Sequence, residues 1–403
     1  MASHTGPGTA PLFLLTLASF WHKIRVPMLI RLLMLAIFTR PLLCSPAFPD
    51  INELYSALLL LLLTSWMVLK GLALQDHRKT TIPLLFFIGA LFFSLIFAEN
   101  KLLATQALTY YISGILLFLI CRTLPAGDKR KIIITLIASG IFVSLLAAYQ
   151  YFFGFQNLTD YITENRLSDP YVVNYIDQKR VYYPFITPNA LGGYLIMIIP
   201  LALAMNKKLW TASILFLALL STKSIGALFS LLPAMAVYFH LKDKCTKKAL
   251  FILSGGLVAL AVVFFVRMQT AHHIFEPSFS SQMKLNYWRD TLSVLLTHFW
   301  TGIGLGNFDS PFSRYSHNAF LQIWAETGII GALSFIILIA TIIRSGLKEI
   351  AHSQDKAMTI GLLAAACAFL IHNFVDFTFF LPEISLIWWA ILGLLSNRSS
   401  RCP

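Results

Sequence analysis

Charge is what this sequence has least of. Of its 403 residues only 12% are Asp, Glu, Lys or Arg, about half the share of a soluble globular domain. That deficit excludes an ordinary water-soluble enzyme, and it excludes disorder, which needs high charge and few apolar residues. Cysteine is scarce as well. The five present, Cys44, Cys121, Cys245, Cys367 and Cys402, are scattered, with no metal spacing and too few for a disulfide scaffold, so they read as inert. Close-spaced His, Asp and Glu sets are missing from the longer polar stretches, which leaves no metal site to expect. Near the N-terminus the apolar stretch Pro11–Trp21 is followed by the basic His22-Lys23-Ile24-Arg25. A cleaved signal peptide has the opposite order.

What the chain has instead is apolar length. Hydrophobic residues make up 57% and the mean hydropathy is +0.73. A membrane crossing takes about 20 mostly apolar residues. Apolar runs bounded by charges lie near 27–43, 54–74, 82–98, 103–120, 132–153, 189–205, 209–221, 225–240, 249–267, 319–343, 357–375 and 379–396. The first contains Arg31 and Arg40, which are expected to snorkel to the two interfaces. The seventh is short for a full crossing. The fold expected is all-α, a polytopic membrane protein of about twelve spans forming one membrane domain over residues 1–403.

The net charge of +13 does not point to nucleic acid. Its basic residues come in short clusters between apolar runs, with no continuous stripe or aromatic interleaving. With the N-terminus in the cytoplasm and sides alternating, most Lys and Arg fall in inner loops and most Asp and Glu in outer ones. The inner clusters include His77-Arg78-Lys79, Lys129-Arg130-Lys131, Lys207-Lys208 and the run from Lys242 to Lys248. That distribution obeys the positive-inside rule with both termini inside.

Two outer segments, 154–188 and 268–318, exceed the roughly 12–15 residues of an ordinary connection. Both mix aromatic and polar residues, as folded structure does. Within the second, Met283–Phe299 reads as an amphipathic helix lying on the membrane surface, with Leu285, Trp288, Leu292, Leu295 and Leu296 on one side. The outer basic residues gather at Lys179-Arg180, Lys223, Lys284 with Arg289, and Arg314. Two readings stand: a phosphate-bearing ligand at headgroup level, or contact with headgroups and with Asp177, Asp290 and Asp309. His317 sits where the second loop re-enters the membrane. It is either a general base or an interface side chain. Nine residues on, Glu326 falls inside a span, where a carboxylate must be protonated, paired or turned to a polar cavity. His272-His273 and His372 lack partner spacing. The turn Thr301-Gly302-Ile303-Gly304-Leu305-Gly306-Asn307-Phe308 follows no strand and lacks a Gly-Lys-Ser ending, so it reads as a tight corner and not as a nucleotide loop.

Several blocks taken together resemble the O-antigen ligase and polymerase superfamily of bacterial membrane glycosyltransferases. They are Arg180 through Pro188-Asn189-Ala190-Leu191-Gly192-Gly193, Ser221-Thr222-Lys223-Ser224, Lys284-x-x-x-Trp288, the glycine turn, and His317-Asn318 with Glu326-Thr327-Gly328. The resemblance implies a periplasmic loop histidine, His317, as general base for an acceptor hydroxyl. It also implies two arginines on the donor's pyrophosphate. Lys223 and Lys284 stand at those positions, with Arg289 or Arg180 supplying the missing fork. Asn189, Asn318 and Glu326 join the substrate-binding set by their places in the motifs. The reaction implied is transfer of an undecaprenyl-pyrophosphate-linked glycan to lipid A-core at the periplasmic face of the inner membrane. Neither metal nor other cofactor is implied, and the partners are the lipid-linked donor, the lipid A-core or glycan acceptor and membrane lipids. Polymerisation of lipid-linked repeat units is the alternative, followed by transfer to protein and by non-enzymatic glycolipid transport. Tyr171, Tyr175, Tyr182 and Tyr183 read either as sugar-stacking rings or as interfacial anchors.

Overall fold

A computed structural model describes residues 27–70, 78–166, 169–205, 209–243, 246–270, 277–311 and 313–396. The segment Pro11–Trp21, His272-His273, Cys245 and Cys402 lie outside the described residues. The chain is helical throughout, with a lone bridge between Ser310 and Ser313 as its extended pairing among the described residues. In chain order the helices are α1 (27–39), α2 (Pro49–Lys70), α3 (Arg78–Phe97), α4 (Lys101–Thr123) and α5 (Ala126–Tyr149). There follow α6 (Phe155–Glu164), α7 (Pro170–Asp177), α8 (Pro188–Met205), α9 (Trp210–Thr222) and α10 (Ile225–Asp243). The last five are α11 (Thr246–Thr270), α12 (Pro277–Thr297), α13 (Ala319–Glu349), α14 (Lys356–His372) and α15 (Pro382–Leu395).

Among the described residues 7 helices are long and apolar enough to cross a membrane: α2, α3, α4, α5 with its continuation, α8, α10 and α13. Shorter apolar helices are α9, α14, α15 and the Leu253–Gln269 part of α11. Apolar composition works differently at the two ends of the burial range. α8 and α15 are enclosed along nearly their whole length, with Trp388 and Trp389 at the centre of the packing. α14 packs on α8, α15 on α4, and α13 on α3. By contrast α2 turns Leu54, Leu58, Leu61 and Val68 outward. Such a ring of exposed aliphatic residues suits hydrocarbon surroundings, where leaving Leu outside costs little. Pro83, Pro200 and Pro233 lie inside helices, which neighbouring helices make tolerable.

Arg40 corrects one expectation. It does not snorkel but, just past the end of α1, is 1% exposed. Its Nη2 donates to Asn52 Oδ1 at 2.6 Å and its Nη1 to the Leu43 carbonyl at 3.0 Å. Glu383 Oε2 lies 3.8 Å away and also accepts from the Ser45 hydroxyl at 2.8 Å. A buried guanidinium needs such compensation, and its partner lies 343 positions along the chain, at the start of α15, beyond the reach of any local reading.

Both long loops fold. The first holds α6 and α7, the second α12. On α12 the apolar side is divided: Leu285, Leu292 and Leu296 face outward, while Leu295 is buried against Phe308 and Ala325. The helix therefore presents an aliphatic face away from the bundle while anchored to it through Leu295.

Candidate functional site

The loop connections 150–187, 223–224, 277–318 and 373–381 meet at one end of the bundle. There His317, the last residue but one before α13, is held by its neighbours. The Ser316 hydroxyl donates to the Asn318 carbonyl at 2.7 Å, and the Ser316 amide donates to Gln322 Oε1 at 3.0 Å. Asn318 caps α13, its side chain accepting from the Phe320 and Leu321 amides at 3.1 Å each. The Ala319 amide donates to the Asn373 carbonyl at 2.8 Å, tying this turn to the end of α14. Pinned on both sides, His317 takes a left-handed backbone, φ +53°, one of the few conformations that place a side chain outward from so tight a turn.

The imidazole stacks on Tyr287 of α12, with centroids 4.9 Å apart and planes at 17°, and meets the edge of Phe377 at 4.8 Å. Its Nδ1 is enclosed without a hydrogen-bond partner among the described residues. Burial pushes the imidazole pKa down to about 4, with Asp376 pulling it up and Lys284 down. The ring is therefore neutral near pH 7 and free to accept a proton.

Asp376 is the group that sequence reasoning missed. It is 1% exposed, and its Oδ2 accepts from Asn189 Nδ2 at 3.0 Å while its Oδ1 accepts from the Phe377 amide at 2.9 Å. Burial pushes this carboxyl up, but His372, Lys284 and His317 together outweigh it and hold it below its ordinary range. Asn189 in turn accepts from the Ser224 hydroxyl at 2.9 Å. Thus α8, the α9–α10 turn and the α14–α15 loop are stitched together by side chains. His372, at the end of α14, is fully enclosed beside Gly193 and Gly226 and belongs to the same group, although no local spacing marked it.

Around this core stand cations. Arg180 is buried, its Nε donating to the Thr222 carbonyl at 3.2 Å and its guanidinium over the Tyr175 ring at 5.4 Å. Burial and the nearby Arg267 lower it to about 9. Lys223, in a left-handed turn at the end of α9, donates from Nζ to the Gln178 carbonyl at 2.6 Å. Burial, Arg180, Arg267 and Lys179 lower its ammonium from the usual lysine range. Lys284 is lowered by burial, with Asp376 opposing and Arg267 adding. Arg267, near the end of α11, is thus the cation felt by Arg180, Lys223 and Lys284 alike. Positive groups gathered in a partly dry site favour a multiply charged anion.

The expected residues therefore divide. His317, Lys284, Asn189, Lys223 and Arg180 come together, with Asp376, His372 and Arg267 added. Arg289 is exposed on α12, and Asn318 is taken up by capping. Glu326 stands apart from them: its Oε2 accepts from the Gly306 amide at 3.0 Å and its Oε1 from Gln322 Nε2 at 2.9 Å. It clamps the glycine corner. Of the four tyrosines, Tyr175 lies under Arg180 and against Tyr182 at 5.5 Å, whereas Tyr171 and Tyr183 are exposed. Among the described residues no three His, Cys, Asp or Glu side chains converge as metal ligands do.

The glycine corner is a corner for a physical reason. α13 breaks at Gly328, φ +70° and ψ 178°, and the freed backbone is used by the loop. The Ile303 amide donates to the Ala325 carbonyl at 2.8 Å and the Gly304 amide to the Glu326 carbonyl at 3.1 Å. A Cβ on Gly302 would lie 2.6 Å from the Glu326 carbonyl carbon, and one on Gly328 would strike the Trp300 carbonyl. Gly328→Ala is expected to cost at least about 1–3 kcal/mol from backbone strain alone, seen as a lowered thermal midpoint in detergent. Gly89→Ala, where a Cβ meets nothing within 4 Å, should leave the midpoint unchanged or raise it. Equal midpoints for the two variants would show that the corner carries no strain.

Residues 210–336 match the family model described as O-antigen ligase. The matched stretch runs from α9 into α13 and includes Lys223, Arg267, Lys284, His317 and Glu326, while Arg180, Asn189, His372 and Asp376 lie outside it. No curated protein matches the chain.

Proposed function

We propose that the chain transfers an undecaprenyl-pyrophosphate-linked glycan to lipid A-core at the periplasmic face of the inner membrane. It crosses the membrane twelve times with both termini inside, and His317 is the general base. The match bears out the resemblance to the O-antigen ligase superfamily and supports a membrane glycosyltransferase-like protein acting on lipid-linked glycans. The observation that carries this reading is the juxtaposition of a neutral imidazole with a nest of cations. The Asp376 carboxylate acts electrostatically on both His317 and Lys284, and Arg267 acts in the same way on Lys284, Arg180 and Lys223.

In this mechanism the acceptor hydroxyl gives its proton to the His317 imidazole as its oxygen attacks the anomeric carbon of the donor. The bond from that carbon to the pyrophosphate oxygen breaks, and the electron pair leaves with the pyrophosphate. Cations fixed beside the leaving group stabilise charge where it develops. Asp376 stabilises the imidazolium that forms. Asn189 keeps that carboxylate aimed. Reconstitution with a lipid-linked glycan and lipid A-core tests the reading. Addition of donor glycan to the core is the expected product. A ladder growing on the lipid-linked glycan without the core would make the chain a polymerase, and no transfer to either would overturn the proposal.

Cations of the protein itself do the work that a divalent ion does in other phosphate-leaving reactions. Catalysis is therefore expected to survive EDTA at an unchanged rate in the purified protein. Loss of activity restored specifically by magnesium or manganese would show that the lysines and arginines do not suffice.

A further inference from the structure

A cavity opens at the same end of the bundle. Phe377, which meets His317 edge-on, stacks its other ring contact on Tyr315, with centroids 4.5 Å apart and planes at 12°. Tyr315 is a wall of that cavity, whose volume is about 110 Å³. Tyr110, Phe308, Gln106 and Arg314 also line it. It continues, through the shared Gly306, Phe308 and Arg314, into a polar groove of about 720 Å³ edged by Glu99, Lys101 and Asp309.

Tyr111 gives the cavity its chemistry. The residue is 6% exposed, and its hydroxyl has no hydrogen-bond partner among the described residues. Its ring is locked by Phe87 at 5.8 Å and Phe379 at 5.9 Å. The hydroxyl therefore cannot swing to find a partner elsewhere. A buried donor left unmade is costly unless a ligand satisfies it. The lining combines ring faces with a hydroxyl, a primary amide and a guanidinium. An acyl chain would leave those polar groups unpaired. A pyrophosphate would meet Arg314 with Glu326 nearby, a poorer site than the cation nest on the far side of His317. A sugar ring fits both halves, with its C–H faces on the aromatic rings and its hydroxyls on the polar groups.

We propose that this cavity is a saccharide subsite. It takes a ring of the acceptor glycan next to the ring that reacts, and the Tyr111 hydroxyl bonds to one of that sugar's hydroxyls. The assignment to the acceptor rests on the function proposed above. With the donor pyrophosphate on the Lys284 side, the Tyr315–Phe377 stack leaves this cavity for the other substrate. It also sets the bound ring back from the imidazole, so the reacting ring is its neighbour.

Tyr111→Phe removes the hydroxyl and keeps the ring, and deleting an unpaired buried hydroxyl should not lower the thermal midpoint. The purified full chain is assayed with lipid A-core as acceptor, and the core oligosaccharide freed of its lipid is titrated calorimetrically. The acceptor KM and the oligosaccharide Kd should both rise about three- to tenfold, with donor KM and kcat unchanged. Arg314→Gln should move the same two quantities. A rise in donor KM instead, or oligosaccharide binding that neither variant alters, would overturn the subsite. If the unsubstituted protein transfers nothing, the functional reading falls by itself. The titration then still decides the cavity: binding weakened by Tyr111→Phe keeps it as a saccharide site, and absent or unaltered binding removes it.

Discussion

His317→Ala is expected to abolish transfer while the protein still inserts and folds, because no other imidazole among the described residues is placed to replace it. His372 is wholly enclosed between Gly193 and Gly226 and cannot meet a substrate hydroxyl. The loss of a general base costs about 10²–10⁴ in rate. The substitution also removes a ring from between Tyr287 and Phe377, so His317→Gln serves as the control that keeps volume there. The pH profile gives a second readout. Burial holds the free imidazole near a pKa of about 4, so kcat/KM should fall only as pH drops through about 4, below which the ring is protonated and cannot act as a base. A bound pyrophosphate places negative charge beside the ring and raises its pKa. The acid limb of kcat should therefore lie above that of kcat/KM. Substantial turnover by a folded His317→Ala protein, or acid limbs unmoved in His317→Gln, would take His317 out of the mechanism.

Periodicity and charge placement were enough to foresee an all-helical membrane protein, because a span is a local property of about 20 residues. They also drew attention to Lys223, Lys284, His317 and Arg180, since cations and a histidine at apolar borders stand out against so uncharged a background, and the family resemblance supplied the roles proposed for them. Arg40 and Asp376 show where such reading stops. Arg40 was expected to reach an interface, yet its compensation comes from Asn52 and from Glu383 on the last helix. Asp376 sits in an unremarkable Phe-Val-Asp-Phe-Thr run near the end of the chain. It becomes part of the site only because α14 packs on α8 and brings it to Asn189. A weak signal existed: an acidic residue between two apolar helices, on the side where His317 was expected. Glu326 was expected to be protonated, paired or turned to a polar cavity; its carboxylate accepts from Gly306 and Gln322, a loop contact twenty residues back that no motif encodes, and the residue lines the cavity beside Tyr111. Arg289 lies five residues after Lys284, and that rotation along α12 leaves it exposed.

Replacing Lys284 by Ala is expected to weaken donor use by on the order of 2–5 kcal/mol, the range for truncating one member of a buried charged contact. Lys284 is the cation closest in effect to both Asp376 and His317, so its loss removes an attraction for pyrophosphate and leaves Asp376 short of a counter-charge. The donor KM should rise, and the His317 imidazole, no longer opposed by Lys284, should titrate at a higher pH. Lys223→Ala should act in the same direction but more weakly, because that side chain is partly exposed and already gives Nζ to the Gln178 carbonyl at 2.6 Å. A lysine offers a point charge where an arginine offers a fork. Lys284→Arg should therefore keep donor affinity or improve it. The forks present, Arg180 and Arg267, lie within electrostatic reach of each other and of Lys223, so Arg180→Lys should be more damaging than Arg289→Ala, which alters an exposed position. If both lysines merely touch lipid headgroups, truncation would change little, as for most exposed ion pairs. Donor kinetics at saturating acceptor separate the two cases. An unchanged donor KM in both Lys223→Ala and Lys284→Ala would remove the lysines from the pyrophosphate site and leave its binding to Arg180 and Arg267.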